Sequence, residues 1–135
     1  MTNFIERMYK MFPWVNNDTG LLALRFGVGV VFIFTGWAKI SDMHSTIMFF
    51  ASLGFASFWA YLVTIVEFLG GITVLLGLGI YTRVSAKLLS IVMLVVLYLL
   101  HTHPTMEMTP FIIFFAAFAL ICTGPGKYSV IREKN

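Results

Sequence analysis

The sequence predicts an all-α membrane protein: a bundle of four transmembrane helices, preceded by an N-terminal amphipathic helix and carrying a short outer surface helix. Three observations predict it. Mean hydropathy is +0.91, and only 11% of residues are charged against 59% hydrophobic, where soluble domains carry roughly 25% charged residues. The apolar residues gather into four runs, with spans at about 19–39, 58–81, 84–102 and 109–123. The basic residues stand at the ends of those runs, as a membrane topology places them. A net charge of +3 is therefore no sign of nucleic acid, and the 135 residues are read as one membrane domain, 1–135.

Residues 1–14 mix Glu6, Arg7 and Lys10 into apolar positions and form no continuous hydrophobic region, so no cleavable signal peptide is expected there. Instead Phe4, Ile5, Met8, Met11, Phe12 and Val15 recur at helical spacing, with Glu6, Arg7, Tyr9 and Lys10 opposite. Such a helix suits the bilayer interface, and a helix docked on the bundle fits the pattern equally. The 16–20 segment then breaks it and offers Asp18 or Thr19 as N-cap of the first span. Between spans one and two, 41–53 reads as a short surface helix with Asp42 as its cap, Met43, Ile47 and Phe50 on one face, and Gly54 as its end. The fourth span is short, bounded by Thr109 and by Gly124-Pro125-Gly126. In hydrocarbon, runs of this kind satisfy their backbone as helices, and none shows the period-two polarity of barrel strands.

Arg7, Lys10, Arg83, Lys87, Lys127, Arg132 and Lys134 fall on one side of the four-span scheme, and Lys39 alone on the other. The positive-inside rule puts both termini in the cytoplasm.

Ionisable groups inside a span cost roughly 2.5–3.5 kcal/mol even on the lenient insertion scale, so each needs a reason. Glu67 is the deepest, and it is the candidate catalytic residue. Either it carries a proton or a buried cation pairs with it. Arg25, Gly29, Phe32, Gly36 and Lys39 share one stripe of span one; Ala60, Thr64, Glu67, Gly70, Gly71 and Val74 share one of span two. Small residues on facing stripes let two helices approach closely, and an antiparallel pairing leaves Glu67 within reach of either Arg25 or Lys39. A purely structural ion pair stands beside the functional reading. Span three adds Lys87, Ser90, Leu94, Tyr98 and His101 on one face.

The remaining chemistry is sparse. His101-x-His103 precedes a proline and reads as a solvated loop, so no metal site is expected. Haem is disfavoured, since only His44 could supply a second axial ligand and it lies in a loop. The single cysteine, Cys122, excludes an internal disulfide and a dithiol mechanism, and is expected to be a buried, inert thiol. Trp37, Trp59 and Tyr61 at one interface, and Trp14, Tyr81 and Tyr128 at the other, fit aromatic belts. Trp37, Tyr61, Tyr98 and His101 are candidates to line a pocket for a flat lipophilic ligand such as a quinone.

Leu24-Arg25-Phe26-Gly27-Val28-Gly29 leading to Phe32-x3-Gly36-x2-Lys39 resembles the first helix of the DoxX family. Phe50-x2-Leu53-Gly54, Tyr61-x5-Glu67-x2-Gly70-Gly71, Leu75-Leu76-Gly77-Leu78-x3-Thr82-Arg83 and the closing Gly124-Pro125-Gly126-x-Tyr128-Ser129 are similar to that family as well. Arg25, Lys39, Glu67, Gly70, Gly71 and Arg83 match its motif positions. The resemblance implies a four-helix protein of the bacterial or archaeal cytoplasmic membrane. Some relatives are linked with respiratory or sulfur-oxidising chemistry, as the membrane subunit of a thiosulfate:quinone oxidoreductase or in a redox-stress complex.

Three functions follow as expectations. One is a redox-associated membrane subunit, quinone-linked, in which Glu67 accepts a proton from a reduced lipid carrier. No redox centre is encoded, so electrons would come from a partner or a bound quinone. The second is a non-catalytic assembly or accessory subunit of a larger membrane complex; the third, less favoured, is a small oligomeric transporter. Expected partners are the lipid bilayer and other membrane or peripheral subunits, or further copies of the chain.

Overall fold

A computed structural model describes residues 2–102 and 109–131. The His103 side of the expected polar loop, and the basic residues Arg132 and Lys134, lie outside the described residues. Among the described residues there are six helices: α1 (Thr2–Met11), α2 (Asn17–Ser41), α3 (Met43–Ser52), α4 (Ser57–Leu76), α5 (Ile80–Thr102) and α6 (Thr109–Thr123). The chain is all-helical, and α2, α4 and α5 are long and apolar enough to cross a membrane. α6 is equally apolar but has 15 residues.

α2 begins two to three residues earlier than a cap at Asp18 or Thr19 would allow. Asn16 is the N-cap, its Oδ1 accepting from the Thr19 amide at 2.9 Å. Asp42 caps α3 as its position suggests, accepting from the Ser45 amide at 3.1 Å. The second apolar run, read as reaching 81, stops as a helix at Leu76. Gly77 (φ 70°) and Gly79 (φ 58°) take left-handed conformations that other residues avoid, and α5 starts at Ile80, before the basic pair Arg83 and Lys87. Hydropathy runs on through this turn because Leu78 and Ile80 are apolar, which is why the break was masked.

α2 packs most closely on α4, α4 on α5, α5 on α6, and α6 returns to α2. The core between them is Val28, Phe32, Val74, Ala86, Leu89, Met93 and Leu120. α3 lies across α4 and the end of α2. α1 packs on no other described helix; Phe4, Met8, Met11 and Phe12 are all exposed, so the docked alternative has no support in its contacts.

Candidate functional site

Glycine sets the spacing of α2 and α4. A Cβ on Gly29 would lie 2.8 Å from the Leu75 Cβ, and one on Gly71 would lie 2.8 Å from the Ile33 nitrogen. Gly70 turns the same trick toward α5, where Leu89 carbons stand 3.3 Å from its missing Cβ. The buried residues of α4 are Ala60, Thr64, Glu67, Gly70, Gly71 and Val74, a single stripe at helical spacing.

This close approach decides which cation Glu67 meets. Lys39 Nζ lies 2.5 Å from Glu67 Oε2, with 4% of the Glu67 side chain and 26% of the Lys39 side chain exposed. Arg25 is committed elsewhere, at the opposite end of the bundle. Its guanidinium donates to the Pro125 carbonyl at 2.7 Å and to the Leu75 carbonyl at 3.3 Å, while Nε has no protein partner. There the negative end of the α4 dipole supplies what an acid would. Arg83 does the same for α6, donating to the Ile121 carbonyl at 2.6 Å. The tail closes over this end: the amides of Val130 and Ile131 donate to the carbonyls of Leu76 and Gly77, each at 3.0 Å.

Above the ion pair lies a cavity of about 470 Å³ between α3, α4 and α5. Its walls are aliphatic and aromatic, with Phe49, Phe50 and Phe55 on the α3 side, Val63 and Val66 on α4, and Val92 and Val95 on α5. Lys39 and Glu67 are its charged groups. One ammonium donor and one carboxylate acceptor facing an apolar volume of this size is the composition of a site for a lipophilic molecule with a polar head.

Trp37, Tyr61, Tyr98 and His101 do not line this cavity. Trp37 is 59%, Tyr61 48% and Tyr98 69% exposed, each on a helix face turned outward, and His101 is exposed as well. The lining that sequence reasoning missed comes from α3 and from the Leu88, Val92, Val95, Leu99 face of α5, an apolar repeat that the polar line through Ser90 overshadowed. Ser90 itself is buried on the opposite face of α5 with its hydroxyl unpartnered. Cys122 is exposed rather than buried, because the last turn of α6 leaves the core beyond Leu120. Among the described residues no cluster of His, Cys, Asp or Glu could hold a metal ion.

Beside the ion pair, where α2 hands over to α3, Thr35, Ala38, Lys39, Asp42, Ser45 and Thr46 form a shallow crevice. Hydrogen bonds from the Ser45 hydroxyl and then its amide hold the Asp42 carboxyl below the usual carboxylate range.

A chain with these features has relatives. It is 36% identical over 77 residues to "Putative oxidoreductase CatD" of Bacillus subtilis (strain 168), a match covering 57% of this chain and 56% of that relative's length. It is 32% identical over 124 residues to "Inner membrane protein YqjF" of Escherichia coli (strain K12), covering 87% of this chain and 94% of the relative. No solved structure matches. The family model named DoxX matches residues 20–102, which hold Arg25, Lys39, Glu67 and every glycine at the α2–α4 contact. The chain is a membrane protein of the DoxX family.

Proposed function

We propose that this protein is a redox-associated subunit of a bacterial or archaeal cytoplasmic membrane that holds a quinone-type carrier against Lys39 and Glu67. The observation that carries the reading is the ion pair placed at the base of an apolar cavity of about 470 Å³. The Lys39 ammonium can donate to a carbonyl oxygen, and the Glu67 carboxylate can accept from a hydroxyl, so the pair suits both oxidation levels of such a head group. Phe49, Phe50 and Phe55 offer faces for a flat ring, and the aliphatic walls exclude water. A bound quinone supplies two-electron, two-proton carrier chemistry that the side chains lack. The oxidoreductase name of the Bacillus relative is consistent with a redox setting.

In the same reading α2, α4, α5 and α6 all span. α6, about 22 Å long at ~1.5 Å per residue, falls short of a ~30 Å hydrocarbon layer, and local bilayer thinning absorbs the difference. Arg7, Lys10, Arg83, Lys87 and Lys127 put the Arg25 end in the cytoplasm and the Asp42 end outside. Reporters fused after Lys134 and within the loop after His101 then read opposite compartments.

Extraction of the purified protein with organic solvent, followed by chromatography, tests the carrier. Wild-type protein is expected to yield a quinone and Lys39→Met to yield little. Wild-type protein that holds none, even after incubation with quinone-loaded vesicles, overturns the reading. Co-purification from native membrane tests the second reading, a non-catalytic assembly subunit: partner subunits retained by a protein without quinone favour it.

A further inference from the structure

Lys39 lines both the apolar cavity and the crevice at the α2–α3 corner, and among the described residues no other lines both. The crevice is polar and open. Asp42 accepts from the Ser45 hydroxyl at 2.7 Å, and the Thr46 hydroxyl donates to the Asp42 carbonyl at 3.0 Å. One flexible ammonium therefore stands between water on the Asp42 side and a carboxyl that is 4% exposed.

On its other side the described residues pack tightly against Glu67, and the nearby Thr64 hydroxyl is spent on the Ala60 carbonyl. Gly36 lies against Phe68 and Gly71 against Ile33 with no room for a side chain, let alone a water file. Phe32, Val74 and Leu89 are 1%, 0% and 0% exposed and fill the space toward Arg25. Among the described residues the charged and titratable groups facing Glu67 are few. α2 contributes Lys39, with Asp42 at its end, and α3 presents phenylalanines, its His44 lying exposed beside Asp42. α5 turns only Leu88, Ile91, Val92, Val95, Val96 and Leu99 to the cavity. α6 does not pack on α4.

We propose that the Glu67 carboxyl exchanges its proton with the Asp42 side of the membrane alone, with Lys39 as the relay from cavity to crevice. The proposal rests on the reading of Glu67 as a proton-handling group and of the Asp42 end as the outer one. In the outward direction a Lys39 N–H bond breaks as its proton passes to water in the crevice. The amine left behind then takes the proton of the Glu67 O–H group, which restores ammonium and carboxylate. One proton has left the cavity: Glu67 has passed from carboxylic acid to carboxylate, and Lys39 ends as the ammonium it began as. The reverse sequence loads the carboxyl from outside.

Infrared difference spectroscopy on proteoliposomes of uniform orientation tests this, with pH stepped on one face while the other is clamped. The carboxyl C=O band that Glu67→Gln abolishes is the readout. It is expected to follow steps on the Asp42 face and ignore the other. Lys39→Met should slow the response by about 100-fold or more. Thr46→Val, which keeps the relay and dries the crevice, should slow it with the ion pair intact. A band that follows the Arg25 face, or none on stepping either face, overturns the proposal. Quinone content is measured on the same samples. A one-sided response in protein without quinone retires the carrier and leaves the proton route; quinone with a two-sided response does the reverse.

Discussion

Gly36 and Phe68 meet backbone to backbone: a Cβ on Gly36 would stand 2.8 Å from both the nitrogen and the Cβ of Phe68. No rotamer relieves that clash, because the atoms in the way belong to the helix itself. Gly36→Val must push α2 off α4 and is expected to cost about 3 kcal/mol or slightly more. It should also separate Lys39 from Glu67 one turn away. Gly27, in the same helix, has nothing within 4 Å, so Gly27→Ala should be neutral or stabilise by up to about 1 kcal/mol. Unfolding in mixed detergent micelles measures both, and a Gly36→Val protein as stable as the wild type would show that the backbone contact does not set the α2–α4 spacing.

The Lys39–Glu67 pair is unequally exposed, 26% against 4%, and the single substitutions should differ accordingly. Lys39→Met strands a buried carboxylate and is expected to cost about 3 kcal/mol. Glu67→Gln leaves an ammonium that can turn to the crevice, and should cost about 1 kcal/mol. The double variant should recover about 2 kcal/mol relative to the sum. A cycle that closes additively would mean the contact contributes nothing to folding.

Arg25→Met removes the donor from the Leu75 and Pro125 carbonyls. Charge-assisted hydrogen bonds contribute about 1.5–3 kcal/mol each, so a loss of about 3 kcal/mol is expected. The local signature is more telling. Amide exchange at Val130 and Ile131 should accelerate while amides in the α4 interior stay protected. Arg25→Lys should rescue little, since one ammonium cannot fork to two carbonyls.

α1 has no partner helix among the described residues, so truncation up to Met11 should change bundle stability by no more than about 0.5 kcal/mol. A peptide covering residues 1–16 is expected to bind anionic vesicles through its apolar face with Arg7 and Lys10 at the headgroups, more weakly as salt rises. Trp14 emission reports binding. Salt-insensitive or absent binding would return α1 to the aqueous phase.

Helix identity was legible along most of this chain because hydrophobic runs and cap residues are local signals. The α4 stripe was legible for the same reason, since helical spacing alone puts Glu67 over Gly70 and Gly71. What spacing could not supply is the stagger between α2 and α4, and that stagger is what gives Glu67 to Lys39 and leaves Arg25 to the tail. The cavity was illegible for a related reason. Its walls come from α3, α4 and α5 at once, and nothing in the sequence of Phe49 or Val92 says that they share a space. Aromatic residues with a polar tip drew attention to Trp37 and Tyr98, whereas the walls are plain hydrocarbon.

The acceptors of Arg25 sit on residues 75 and 125, which the ribosome delivers long after the arginine. A nascent chain that has inserted α2 therefore carries a guanidinium without its partners until α4 and then Pro125 emerge. An arginine in hydrocarbon is costly during all of that interval. The arrival of Pro125 is thus a thermodynamic event as well as a synthetic one, and fragments ending short of it retain a mark that membrane proteolysis can read. The charge that enters first is settled last.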